Sequence, residues 1–192
     1  MKLSGVARDK NGNALSDVTV EVKDFNFQTL YCASSNRDGR YSIDLPANRY
    51  PFVTAVKEYG ENYLEYWCHN IDLSADLKLD ITIDTLEIYG LNVFAVKGGY
   101  NSLMVYFRPM SLKKFQSGEK DICPNIQSIE VYVDGHKVRL LSQNEVREYC
   151  GDIYLTAFLL QADNPNADWS WTKIDVIIRD ENGDAGGASA YN

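Results

Sequence analysis

Alternation is the feature that most narrows what this chain can become. Val18, Val20 and Val22 alternate with Thr19, Glu21 and Lys23; Tyr41, Ile43 and Leu45 alternate with Ser42 and Asp44. The most regular run sets Leu77, Leu79, Ile81 and Ile83 against Lys78, Asp80, Thr82 and Asp84. A side-chain period of two belongs to a strand with one buried face. Between the runs lie Asp9-Lys10-Asn11-Gly12-Asn13 and Asn36-Arg37-Asp38-Gly39. Asn-Gly and Asp-Gly supply the positive φ that tight reversals between strands require. No long amphipathic helix is evident in the first half.

Near Thr85 the alternation slips. Ile81 and Ile83 hold one parity, Leu86 and Ile88 the other. A one-residue slip turns every side chain to the opposite face, as a bulge or a domain junction does. With 192 residues the chain is long enough for two domains, so the expected units are 1–84 and 85–192, joined by a short connection. Strand patterning resumes at Leu91–Val96, Leu103–Arg108, Ile129–Val133, Ile153–Leu160 and Ile174–Ile178. Asp134-Gly135 signals a hairpin, and Asp180 to Asp184 reads as the turn before a last strand from Gly187 to Tyr191. One short helix is predicted from Ser142-Gln143-Asn144-Glu145, which fits a capping box, with Gly151 as its stop.

Gly5-Val6, Asp9, Asn11-Gly12, Leu15 and Val18-Thr19-Val20 follow an opening pattern G-x-V-x-D-x-x-G-x-P-L-x-x-V-x-V. Asp38-Gly39-Arg40-Tyr41-Ser42-Ile43 and Leu45-Pro46-Ala47-Asn48-Arg49-Tyr50 follow its later turn-and-strand steps. In these residues the stretch 1–84 resembles the carboxypeptidase regulatory-like domains, which are transthyretin-like (prealbumin-like) β-sandwiches. Ala14 stands where that family usually has Pro, and Asn48 where it usually has Gly; Asn tolerates a left-handed backbone. The resemblance implies a fold and says little about function. The Tyr-Arg-Gly-Ser ending of the transthyretin-like hydrolases has no counterpart in Ala188-Ser189-Ala190-Tyr191-Asn192. The closing hairpin is weakly similar to bacterial immunoglobulin-like domains.

A net charge of −8 argues against nucleic acid and anionic membrane as partners, since phosphate backbones need a basic face. No apolar run approaches the length of a membrane helix, so no membrane insertion is expected. The opening residues lack the apolar core of a signal peptide. A cytoplasmic location is expected as the sequence stands, or a secreted or cell-surface one if an export signal was removed. Cys32, Cys68, Cys123 and Cys150 share no C-x-x-C spacing; buried free thiols are preferred to two disulfides. His69 and His136 fall in no zinc-peptidase arrangement, and no nucleophile elbow or P-loop is present. A non-catalytic protein is expected.

Two candidate sites remain. Asp180-x-Asn182-x-Asp184 and Asp9-x-Asn11-x-Asn13 have the spacing of calcium loops, but Gly falls fourth, where a hairpin wants it. The turn reading is preferred; Asp180, Asn182 and Asp184 are the better Ca2+ candidates, and no other cofactor is expected. Aromatic residues make up 12% of the chain, enough to look for a binding platform beyond the core. Tyr59, Tyr63 and Trp67 lie beside Glu61, Asn62 and Glu65; Trp169 and Trp171 follow a loop containing Asn166. Flat apolar faces with neighbouring amides and carboxylates suit carbohydrate; the preferred reading is that these rings fill the core or the seam between halves, with Trp169 and Trp171 capping the sandwich edge. Arg108 ends an apolar strand, where pairing with a nearby acid is the preferred reading.

The fold expected is all-β: two tandem antiparallel β-sandwich domains, transthyretin-like then immunoglobulin-like. The function expected is a non-catalytic module that recognises a glycan or a protein surface, with a homodimer possible. The alternative is a structural or assembly module without a small-molecule ligand.

Overall fold

The computed structural model describes all 192 residues. The strands are Lys2–Arg8 (β1), Thr19–Lys23 (β2), Thr29–Ser34 (β3), Arg40–Asp44 (β4), Arg49–Val56 (β5), Tyr66–Asp72 (β6), Leu77–Lys78 (β7) and Ile81–Thr82 (β8). Then come Leu86–Ala95 (β9), Ser102–Ser111 (β10), a single helix Leu112–Gln116 (α1), Ile126–Val133 (β11) and His136–Lys137 (β12). Leu140–Tyr149 (β13), Tyr154–Asp163 (β14), Lys173–Asp180 (β15) and Ala185–Tyr191 (β16) complete the chain. No helix is long and apolar enough to cross a membrane.

The architecture is an all-β sandwich with an arrangement that alternation alone does not reveal. One sheet of eight strands runs through the whole molecule in the order β12-β11-β15-β16-β6-β5-β2-β3. Its two halves are joined where β16 pairs in parallel with β6, Ala188 opposite Trp67 and Ala190 opposite His69. A small sheet of β4, β1, β7 and β8 covers the first half, and a four-stranded sheet β13-β14-β10-β9 covers the second.

The covers lie on opposite faces of the long sheet. Tyr66 and Cys68 belong to the first core with Leu3, Tyr41, Val53 and Ile81, whereas Trp67 between them belongs to the second with Leu103, Phe158 and Val176. Neighbouring residues of a strand point to opposite faces, so β6 serves both cores. The exchange is mutual: Tyr191 of β16 packs in the first core, Ala188 and Ala190 in the second. The parity slip at Thr85 now has its physical meaning. Ile81 and Ile83 close the first core, Leu86 and Ile88 open the second.

Close approach of backbones fixes two crossings, one inside the first cover and one where the halves meet. A Cβ on Gly5 would lie 1.9 Å from the Leu79 carbonyl oxygen, and one on Gly186 would lie 2.5 Å from that of Leu86. Only glycine lets β9 cross β16 at that separation. At the rim, Lys10 Nζ sits 2.5 Å from Asp184 Oδ1 and 3.4 Å from Asp84 Oδ2. Asp84 is buried and also accepts the Ala185 N–H at 2.9 Å. This group ties the β1–β2 loop, the end of the first half and the start of β16.

Several expectations change. Ser142–Glu145 is no helix but the middle of strand β13, and Gly151, at φ +85°, turns the β13–β14 hairpin. The pairing of β13 with β14 along nine positions outweighs a local capping pattern. The helix that forms, α1, is capped by Ser111, whose hydroxyl accepts the Lys114 N–H. The regular run Leu77–Ile83 splits into β7 and β8 because Asp80 Oδ1 takes the Val6 N–H at 3.0 Å. Both pieces run parallel to β1, so the sheets are not wholly antiparallel. All four cysteines are free, but only Cys68 is buried; Cys32 and Cys150 are exposed and Cys123 is half-buried.

If the β9–β16 crossing holds the halves together, Gly186→Ala lowers the unfolding free energy by about 1–3 kcal/mol through overpacking. At Gly187 an added Cβ meets only the Val176 oxygen at 3.3 Å, and the loss stays below about 1 kcal/mol. Urea unfolding of the two variants checks this; equal losses would remove the close-approach argument.

Candidate functional site

Because each cover reaches only halfway, each half of the long sheet leaves one face open. On the first half this face carries a row of rings. Asp24 starts it by closing the turn between β2 and β3: its Oδ1 accepts the Asn26 and Gln28 N–H groups at 2.8 and 2.9 Å. The turn holds Phe27 at φ +60° and stacks its ring on Phe52 of β5, with centroids 4.8 Å apart and planes at 16°. Phe25 meets Phe52 edge-on at 6.4 Å. Trp67 meets Phe27, Phe52 and Tyr89 edge-on at 6.2, 6.0 and 5.7 Å. The Arg108 guanidinium lies 4.8 Å over Tyr89 and pairs with Glu148 at 2.8 Å. Phe25 is 78% exposed and Phe27 51%, while Trp67 beneath them is 8% exposed.

Under this ledge lies Glu87 of β9, 1% exposed. Its carboxylate accepts the Trp67 indole N–H at 2.9 Å, the Glu65 backbone N–H at 3.2 Å and the Tyr59 hydroxyl at 3.5 Å. Burial raises its pKa to about 7, the nearby Glu65 charge adds to the rise, and the donors only partly oppose it. Burial also raises Glu65 and pushes His69 down to about 4. His69 stacks on Trp67 at 6.0 Å, and its Nε2 has no hydrogen-bond partner.

The structure divides the candidates from sequence into two groups that share no hydrogen-bond or ring partner. Tyr59 and Trp67 gather around Glu87, with Tyr59 51% exposed. Tyr63, bridged to Tyr59, packs half-buried against the first core. The loop carrying them is propped by Gln116 of α1, whose amide donates to the Gly60 and Glu61 carbonyls. Trp169, Trp171 and Asn166 lie elsewhere, in the β14–β15 loop. Asn166 donates to the Ser170 carbonyl at 2.9 Å and to Asp134 Oδ2 at 3.1 Å. Trp171 packs half-buried on the second core, and Trp169 is half-buried at φ +65°.

At the calcium candidate, Asp180 Oδ1 accepts the Asn182 and Asp184 N–H groups, both at 2.9 Å, and Oδ2 accepts the Asn182 amide. Asp184 is bound to Lys10. These acceptors serve the hairpin turn, and no group of three acidic, His or Cys side chains is gathered for a metal.

The other open face, over the second half of the long sheet, forms a cleft of about 420 Å³. Arg8, Asp80, Asp175, Arg179, Tyr132 and Ser189 are among its walls. Its charges are mixed, and Ser189 is engaged by Tyr66 at 2.7 Å and by Asp175.

Phe25, Phe27, Phe52, Glu87 and Tyr89 were not singled out by sequence reasoning. The available signal was Asp24-Phe25-Asn26-Phe27-Gln28: two large apolar residues in a turn otherwise made of polar ones. For Glu87 no local signal existed, because the donors that surround it come from residues 59 to 67.

The raised Glu87 pKa sets a sign. The folded state holds this proton more tightly than the unfolded chain, so the associated stability is complete below about pH 4.5 and is lost as pH rises through about 7, at most about 3 kcal/mol. His69 acts oppositely, losing stability as pH falls from 6.5 toward 4. Relative to wild type, Glu87→Gln is therefore expected to gain stability between pH 5 and pH 8. Carboxyl carbon NMR should place the Glu87 midpoint near 7; a midpoint near the ordinary glutamate value would refute the buried-acid description.

No protein-family model matches this chain, and no curated protein matches it. Among solved structures, the major pilin subunit BcpA of Bacillus cereus aligns over 98% of this chain and 67% of its own, with 12% identity and a TM-score of 0.33. A variant of the same pilin aligns over the same shares with 11% identity and a TM-score of 0.32. A likeness this distant carries no argument about activity or partners.

Proposed function

We propose that the chain is a non-catalytic assembly module that contacts another protein through the aromatic ledge. The observation that carries this reading is the Asp24–Gln28 turn. Phe27 occupies a left-handed backbone region that Gly or Asn would fill at lower cost, and it does so to lay its ring on Phe52 while leaving half of itself in water. Beside it Phe25 is more exposed still. Clustered aromatic rings on a firm base are what protein interfaces use as anchors. The carbohydrate reading has less support. The Trp67 indole N–H is already bound by Glu87 and the Asn166 amide by Ser170 and Asp134, so these two donors are not free for a sugar hydroxyl.

The resemblance of residues 1–84 to carboxypeptidase regulatory-like modules belongs to the same proposal, since those domains accompany a peptidase without being one. Neither histidine contradicts it: His69 Nε2 meets no partner, and His136 lies exposed on β12.

A photo-crosslinking amino acid at position 25, in the protein expressed in its own host, is expected to yield a protein adduct that Phe27→Ser abolishes. Binding to a polysaccharide array that depends on Phe25 and Phe27 would overturn the protein reading and restore the carbohydrate one.

A further inference from the structure

We infer that strand β3 is a self-association edge, on which a second copy of this chain adds its own β3 in antiparallel pairing. The inference rests on the reading of the chain as an assembly module but uses a different surface from the ledge. The long sheet ends at β3, which pairs with β2 alone. Outside that pairing, no backbone hydrogen bond within the chain involves residues 29–34. In an antiparallel strand every second residue aims its N–H and C=O away from its neighbour, so β3 presents a row of unused donors and acceptors.

Such edges are normally guarded by charge, bulges or brevity. The other edges here are guarded. β4 carries Arg40 and Asp44; β13 carries Glu145, Arg147 and Glu148; β12 is the two-residue His136–Lys137. β7 and β8 are two residues each and are split by Asp80. β9 is broken in register between the partners of Tyr106 and Arg108, an irregularity that bends its edge; its one charged residue, Glu87, is buried. β3, with the sequence TLYCAS, has no charged residue along its length. Its one irregularity, the bulge beside Lys23, leaves Tyr31 to Ser34 in regular pairing. Leu30 is 49% exposed and Cys32 is exposed.

Charge then selects the occupant. A chain of net charge −8 repels its own copy wherever acidic side chains face each other. Along β3 itself no carboxylate is presented to the incoming strand. The edge is also its own best mate: among the edges longer than two residues, it alone has no charged residue anywhere along it. Antiparallel addition of β3 to β3 is isologous, so it closes as a dimer and does not propagate into a fibre.

Sedimentation velocity on the full chain, in reducing buffer between about 1 and 200 µM, is expected to show a monomer–dimer shift. Cys32→Lys places a charge at an exposed edge position and should weaken association at least about tenfold while leaving thermal unfolding unchanged at about 1 µM, where both proteins are monomeric. Leu30→Asp should do the same, and Glu145→Lys on β13 should leave association intact. Backbone amides of residues 30–34 should exchange more slowly at high concentration. A chain that stays monomeric throughout the range would overturn the inference, as would a dimer that survives both β3 variants. Because the crosslink at position 25 reports on the ledge, either result leaves the ledge reading to stand or fall separately.

Discussion

The parallel pairing of β16 with β6 is the contact on which the rest of the molecule depends. It makes one sheet out of two halves, and it places the last strand of the chain beside a strand of the first half. Because side chains alternate along a strand, the shared sheet feeds two cores at once: Cys68 points to one cover and Trp67 to the other. The small residues Gly186, Ala188 and Ala190 follow from the same geometry. They face β9 and the second cover, where the Leu86 carbonyl lies too close to Gly186 for any larger side chain.

Strand content was legible in the sequence, and so was which side chains face a core. Val18, Val20 and Val22 are all buried, as are Leu79, Ile81 and Ile83. The partner of each strand was not legible, because a period of two names a face and is silent about what covers it. Nothing between Tyr66 and Asp72 says that residues 188–190 will lie alongside. Ser142–Glu145 shows the opposite failure. A capping pattern is a local signal, and in β13 a ten-residue neighbour overrode it. In Ser111 to Gly118 the helix signal is purely local, a serine cap at one end and a glycine at the other.

The candidate site divides in the same way. Trp67 was recognised as notable, but its role depends on Glu87, twenty residues on and across the junction. That carboxylate is held by donors from the first half while its strand belongs to the second. The ledge is thus built across the junction: Phe25, Phe27 and Phe52 come from one side, Tyr89 and Arg108 from the other, and Trp67 touches both. Aromatic count suggested a platform; the particular rings that form one were decided by a five-residue turn.

The late position of β16 also has a consequence for biosynthesis. Contacts between residues so far apart in sequence form slowly, since a long loop must close before they give any return. A ribosome that has released only the first half has made a sheet whose β6 flank is bare and whose indole at Trp67 lacks its cover. Until the seven residues of β16 emerge, that flank is open to any extended chain nearby, and the time spent in this state sets how far the newborn protein depends on chaperones.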